Sequence, residues 1–204
     1  MLERRAVGKL GAQVNSYSQA GQDRFVRAVH GDTPGFFLDV GCSDPVHISN
    51  TYALEKLGWR GLLVDISPEL ATNIQMKRAS PFLCADATTI DWIEMVDRYR
   101  LPKVIDYLSF DLDNAGSVAL PRLPWSLLRF RVLTIEHDAY RLGNGPRQAM
   151  RALLRDHGYD LLCPDVCNDG FEFEDWWVDS GLVDMRVAGR FRTTMATPWE
   201  TLLP

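Results

Sequence analysis

The sequence predicts an α/β fold: a mostly parallel, Rossmann-like sheet that ends in an antiparallel pair of strands. Three observations carry this reading. Short apolar runs recur along the chain, and the runs ending at Asp39, Asp65, Asp86, Asp111 and Glu136 each close on a carboxylate. Segments with helical apolar spacing lie between them, as parallel βαβ units require. Two last apolar runs, 159–163 and 171–178, flank Asn168-Asp169-Gly170, a hairpin turn signal.

In chain order, residues 1–15 read as a flanking arm. Ser18 is a candidate cap for a short helix that turns Phe25, Val26 and Val29 inward. The polar stretch around it, including Gln22, is a candidate lid over a cofactor, with an ordinary capped helix as the alternative reading. The first strand, Phe36-Phe37-Leu38-Asp39-Val40, runs into Gly41-Cys42-Ser43-Asp44-Pro45. This is how a buried strand enters a ligand-binding turn, and Gly41 supplies backbone angles closed to other residues. Ser49 or Asn50 caps the helix that leads back.

The second strand ends at Asp65-Ile66, 24 residues beyond Gly41, where a carboxylate suits the two hydroxyls of a ribose. Ser67-Pro68 opens the next helix. The third strand ends at Asp86-Ala87, and Asp86 is a candidate acceptor for an adenine amino group. The fourth delivers Asp111 and Asp113, the fifth Glu136-His137-Asp138. A helix over 146–157 follows, ended by Gly158. Residues 180–204 read as a second flanking arm, so 1–204 is one domain.

The turn after the first strand selects among cofactors. A dinucleotide fingerprint needs three glycines, so that backbone amides approach a pyrophosphate. Only Gly41 is present, and Asp44 would repel phosphate. S-adenosylmethionine offers an ammonium and a carboxylate instead, and a turn of acids and amides suits it better. Gln22, Asp39, Gly41, Ser43, Asn50, Asp65, Ile66, Asp86 and Ala87 are the candidate cofactor residues.

A chain of 204 residues with 46% apolar content can bury a full core. The net charge of −5 does not suggest a nucleic-acid partner. The arginines at 122, 129 and 131, and at 186, 190 and 192, read as solvated surface. No apolar run is long enough to span a bilayer, and the N-terminus lacks a signal-peptide core. A cytoplasmic, non-membrane protein is expected. Cys163 and Cys167 are four apart with no second close pair, so they read as buried thiols rather than zinc ligands. Leu182, Val183, Phe191 and Trp199 lie outside the sheet pattern, which leads to the expectation of a homodimer through one of the arms. Of Trp176 and Trp177, one is expected in the core and the other free to stack on a sugar or at an interface.

Several short motifs, in order and spacing, resemble the FkbM-like S-adenosylmethionine-dependent methyltransferases. They are Tyr17-Ser18-Gln19 with Gly21-Gln22-Asp23; Phe37-Leu38-Asp39-Val40-Gly41; Ser49-Asn50-Thr51; Leu54-Glu55 with Gly58-Trp59-Arg60-Gly61; Asp106-Tyr107-Leu108-Ser109 with Asp111; and Glu174-Asp175-Trp176. The resemblance implies a seven-stranded class I methyltransferase and O-methylation of a small molecule, often a sugar or polyketide-type product. Asp111-Leu112-Asp113-Asn114 departs from the family's pattern after the fourth strand.

Methyl transfer to a hydroxyl needs the acceptor proton removed or polarised, by a base worth roughly 10²–10⁴-fold or by a metal ion. Asp111, Asp113, Glu136, His137 and Asp138 cluster at two adjacent strand ends. The arrangement also resembles catechol-type and macrolide-sugar methyltransferases, which ligate Mg²⁺ there. By that analogy Asp111, Glu136 and His137 would bind Mg²⁺ or Mn²⁺. Alternatively His137 is the base, with Asp113 orienting it, or the acids merely cap helices. A nicotinamide-dependent oxidoreductase and a non-catalytic cofactor-binding module are the competing function classes.

Overall fold

The computed structural model describes residues 15–203. Five strands run parallel: β1 (Phe36–Val40), β2 (Arg60–Asp65), β3 (Phe82–Cys84), β4 (Val104–Phe110) and β5 (Arg129–Glu136). Two antiparallel strands complete the predicted hairpin, β6 (Asp160–Asn168) and β7 (Phe171–Val178). A two-residue strand, β8 (Thr197–Pro198), pairs with β6. The order β3-β2-β1-β4-β5-β7-β6-β8 gives eight strands, one more than expected. The extra one comes from the segment read as a C-terminal arm. Both edge strands are very short, which limits pairing with another chain.

Helices cover both faces. On one face, α1 (Gln22–His30), α2 (Tyr52–Lys56) and α3 (Leu70–Lys77) bury Phe25, Leu54 and Ile74 against Phe37, Leu63 and Tyr107. On the other, α4 (Trp92–Arg98), α5 (Gly116–Ala119) and α7 (Asn144–Asp156) bury Trp92, Ala119 and Leu154 against Leu38, Val64 and Phe130. A single-turn helix, α6 (Ala139–Leu142), links β5 to α7. Strands buried on both faces are apolar throughout, which is why they read as continuous runs.

Local chemistry sets the helix starts. Asp91 caps α4 by accepting from the Ile93 and Glu94 amides. Ser49 Oγ accepts from Tyr52 N at 3.2 Å, as the cap reading required. Ser18 is not the N-cap residue, since α1 begins at Gln22 after Gly21 in the left-handed region. Its Oγ nevertheless accepts from Asp23 N in the first turn at 3.4 Å and donates to Asp23 Oδ1 at 2.8 Å. The helix expected from Ser67 begins three residues later, at Leu70.

β6 runs further than the sequence pattern suggested, through Pro164. Proline has no N–H to give to a ladder, and the pairing with β7 shifts on both sides of it. The bulge leaves Asp165 at φ +54°.

The C-terminal segment forms α8 (Met185–Ala188), β8 and α9 (Trp199–Leu202). Ala188 and Leu203 are buried in the α1-side core, with Val183, Phe191 and Trp199 packed against it. Of the apolar residues that motivated the homodimer expectation, Val183, Phe191 and Trp199 are therefore used within the chain. The N-terminal arm of that expectation, residues 1–14, lies outside the described residues. Trp176 and Trp177 are both fully buried, one on each face, so neither is free to stack on a ligand. Among the described residues no helix is long and apolar enough to cross a membrane. The cysteines are free; Cys42, Cys163 and Cys167 are buried.

Candidate active site

A cleft of about 550 Å³ opens along the carboxyl edge of β1 to β5. Gly41, Ser43, Asp65, Ile66, Asp86, Ala87, Asp111, Asp113 and Glu136 all line it. Gly41 is held there by its own chain. At φ +87°, a Cβ would lie 1.6 Å from the Asp111 carbonyl oxygen, so the β1 turn can cross the end of β4 only as glycine.

Asp65 ties two turns together. Its Oδ2 accepts from Ser43 N and its Oδ1 from Ser67 N, each at 2.9 Å. Each carboxylate oxygen has a second lone-pair direction for a ligand hydroxyl. Asp86 is oriented by Thr88, whose amide and hydroxyl both donate to its Oδ1 at 2.8 and 2.7 Å, and these bonds hold its pKa below the usual carboxylate value.

Three candidate cofactor residues lie beneath the cleft rather than in it. Gln22 is 1% exposed, and its side chain bonds the Ala20 amide and Glu174. Asp39 is buried and accepts from Thr51 Oγ1 at 2.5 Å; burial raises its pKa despite that bond. Asn50 donates to Ser109 Oγ at 3.0 Å. Their polar types reflect a hydrogen-bonded floor under the β1 turn.

At the β4–β5 end of the cleft, the side chains of Asp111 and Glu136 face each other within hydrogen-bond reach. Burial, then the bond to Asp111, pushes Glu136 far above the usual carboxyl range, and burial raises Asp111 as well. Asp113 N donates to Glu136 Oε2 at 2.9 Å. Carboxylate oxygens of Asp113, Glu136 and Asp138 lie within 4.8 Å of one another. Arg141 supplies the positive charge: its Nη2 bonds Asp113 Oδ1 at 2.8 Å and also Asp138 Oδ2.

His137 is not part of this cluster: it neither joins Asp111 and Glu136 nor is oriented by Asp113, and its ligand atoms lie instead within 4.8 Å of those of Asp165 and Asp175, a second group that could hold a metal ion. Successive strand residues point to opposite faces. Glu136 enters the cleft, so His137 turns away, is 1% exposed, and lies 3.4 Å from Asp165 and 3.5 Å from Asp175. The amides of His137 and Asp138 both donate to Phe173 O, and Asp138 then takes a left-handed φ of +46° and rejoins the cluster. In place of the expected triad Asp111, Glu136 and His137, the converging ligand atoms here are those of Asp113, Glu136 and Asp138, with Asp111 beside Glu136. Asp113 does not orient His137; it pairs with Arg141.

Gln19, Ile48, Leu112, Asn114 and Ala115 also line the cleft and were not singled out from sequence. A single bridge between Ser18 and Ile48 brings Gln19 and Ile48 to its rim, a pairing with no local sequence signal. Arg141 had one: it follows Asp138 by three residues, one turn of helix. His47 is exposed and outside the cleft lining, and His157 ends α7, stacked on Trp125.

The parallel sheet, its reversal between β1 and β4, and the antiparallel β7 between β5 and β6 recur in solved structures. The chain superposes on an O-methyltransferase from Bacillus cereus in complex with SAH, at 16% identity and a TM-score of 0.55, over 83% of this chain and 86% of that one. The fold is that of a class I methyltransferase. Cofactor-bound Rv0187 from MTB matches at 16% identity and a TM-score of 0.55, over 82% of each chain. A protein of the NADB-Rossmann superfamily from Streptococcus agalactiae matches at 12% identity and 0.54, over 94% of this chain and 76% of that one.

No family model matches the sequence, and no curated protein matches it. The FkbM-like resemblance is corrected accordingly: the likeness found is to the general class I fold. Several of the motifs behind it are structural. Ser16, Tyr17 and Ser18 all donate to Asp23, and Asp106 accepts from Phe36 N and pairs with Arg131. Glu174 and Asp175 are buried in side-chain networks.

Proposed function

We propose that this protein is an S-adenosylmethionine-dependent O-methyltransferase acting on a hydroxyl of a small polar molecule. The observation that carries the reading is one continuous cleft. It joins the β2 and β3 carboxylates Asp65 and Asp86 to the facing pair Asp111 and Glu136. The first two suit the ribose and adenine of the cofactor. The pair suits the acceptor, because Glu136 keeps a proton near neutral pH while its partner Asp111, raised by burial, is the stronger base for it and can accept the hydroxyl proton.

The balance of the step is simple. The acceptor oxygen attacks the methyl carbon, the carbon–sulfur bond breaks, and S-adenosylhomocysteine leaves. The hydroxyl proton passes to the unprotonated member of the pair. A sulfonium is cationic, so a cleft of acids favours it, whereas the same acids oppose a dinucleotide's pyrophosphate. Gln19, Asp113 and Asn114 add polar partners for a hydroxylated acceptor, such as a polyol or sugar.

A divalent cation fits the acceptor end. Asp113, Glu136 and Asp138 offer oxygen donors only, the set preferred by Mg²⁺ or Mn²⁺, and an ion would displace the proton held on Glu136 and the Arg141 contact. When bound, such an ion polarises the acceptor hydroxyl.

Calorimetry with S-adenosylhomocysteine and with NAD tests the reading. Binding of the first and not the second is expected, and Asp65→Ala should weaken it by about 1.5–3 kcal/mol, the scale of a charged hydrogen bond. NAD binding without S-adenosylhomocysteine binding would favour an oxidoreductase. S-adenosylhomocysteine binding with no methyl transfer to any acceptor would favour a binding module.

A further inference from the structure

Outside the cleft, two aromatic rings stand out. Among the described residues only Tyr140 and Phe171 have exposed aromatic side chains, at 54% and 55%. They come from different elements, Tyr140 from α6 and Phe171 from the start of β7, yet their ring centroids lie 5.0 Å apart at 44°. With Gly143, Asn144, Arg147 and Glu172 they line a depression of about 390 Å³. Leaving two adjacent rings in water forgoes roughly 25 cal/mol per Å² of apolar burial, and chance does not favour pairing them at a concavity.

The depression adjoins the acceptor end of the cleft. Tyr140 and Arg141 are neighbours on the single turn of α6; one lines the depression, and the other bonds Asp113 in the cleft wall at 2.8 Å. The register Glu136↔Glu174 sets the start of β7 beside the end of β5. Apolar ring walls with a polar rim suit a ring that also carries hydroxyls.

We propose that the Tyr140–Phe171 depression is a distal acceptor subsite, which holds the C–H face of a pyranose ring of the acceptor while a reacting hydroxyl extends toward Asp111 and Glu136. This rests on the methyltransferase reading and on its hydroxylated, sugar-like acceptor. A planar phenolic ring is the competing occupant that the test excludes.

The test uses the full chain saturated with S-adenosylhomocysteine, with catechol and methyl β-glucopyranoside as separate millimolar probes. Saturation-transfer NMR should show ring contact for the glucopyranoside, and contact with catechol alone overturns the pyranose assignment. In the double variant Tyr140→Ala/Phe171→Ala the affinity for the glucopyranoside should fall about tenfold, with S-adenosylhomocysteine affinity unchanged. Tyr140→Leu/Phe171→Leu, which keeps apolar bulk, should show a similar loss if ring faces matter. Binding of neither probe, or equal probe affinity in wild type and the folded double variant, overturns the subsite. Loss of S-adenosylhomocysteine binding in the wild type instead overturns the methyltransferase reading, and is measured first.

Discussion

Two carboxylate clusters sit back to back at the end of β5, on opposite faces of the sheet. In the cleft, Asp111, Asp113, Glu136 and Asp138 share one arginine, half-exposed Arg141. Behind it, Asp165 and Asp175 share two, Arg147 and Arg151, with His137 beside them. Arg151 grips Asp175 with both its Nε and Nη2, at 2.7 and 2.6 Å. The consequences run in opposite directions. Asp175 is held below the usual carboxylate pKa despite its burial, by its bonds to Arg151 and the nearby His137, whereas Glu136 is driven far above it. The rear cluster is balanced in charge by its two arginines, although His137 Nε2 within it is buried with no hydrogen-bond partner. The front one carries more acid than cation, and such an imbalance persists where a proton, an ion or a cationic ligand is handled.

The largest effect expected from breaking the contrast is on the rear cluster. Arg151→Ala leaves Asp175, 3% exposed, without its main partner, and removing one member of a buried pair costs about 3–5 kcal/mol. Urea denaturation checks it; a loss below about 1 kcal/mol would show that the rear cluster is not the structural one.

Glu136→Gln should act in the opposite sense on stability. A carboxyl whose folded pKa is raised keeps its proton when the unfolded chain has lost it. Its stabilising contribution is complete below the unfolded value, 4.5, and is lost as pH rises toward the folded value. Wild type should therefore lose stability from about pH 5 upward, by at most about 1.4 kcal/mol per unit from this group. The Gln variant should show a shallower fall, and its methyl transfer should drop by less than the roughly 10²–10⁴-fold expected when the base Asp111 is removed. Buried Glu174, pushed up to about 8 mainly by burial, keeps part of the slope in both proteins. Identical slopes in the two would remove Glu136 from the argument.

The contrast also explains what the sequence could and could not reveal. The strands were legible because strands buried on both faces must be apolar, and their terminal acids mark the edge where the cleft opens. Asp65, Asp86, Asp111 and Glu136 follow from that rule. The failure at His137 was avoidable in principle, since adjacent strand residues cannot both enter one cleft without a bulge. Its true partners were not legible. Asp165 reaches it only through the bulge at Pro164, and the rear arginines come from a helix whose facing is set by packing. Gln22, Asp39 and Asn50 were misread for a related reason: buried floor and ligand-facing wall call for the same polar residue types.

His137 gives a finer test of the division. Its Nδ1 accepts from Ala139 N at 3.1 Å, so the neutral ring carries its proton on Nε2, facing Asp165 and Asp175. It is a positioning residue for the loop that bears Glu136 and Asp138. His137→Gln should lower stability and the apparent rate, yet leave the shape of the pH–rate profile as in wild type. Disappearance of a limb near pH ~6.5 would restore it as a base.

The smallest effect on stability is expected at Arg141, and it bears on the front cluster alone. The guanidinium is half exposed and its pair with exposed Asp113 adds little to folding, while buried Asp138 loses a partner, so Arg141→Ala should cost some stability but less than Arg151→Ala. What changes is the field at the acceptor end. Without Arg141 the carboxylates of Asp113 and Asp138 lose their cation, and any added cation meets more negative charge with no competitor. Mn²⁺ affinity, read from the loss of the free-ion paramagnetic resonance signal, should rise in Arg141→Ala and fall in Glu136→Gln. If neither variant alters Mn²⁺ uptake, the front cluster does not hold a divalent ion, and its excess acid acts through the proton held on Glu136. If Arg141→Ala instead destabilises the fold as much as Arg151→Ala, both clusters are structural and the contrast between them fails.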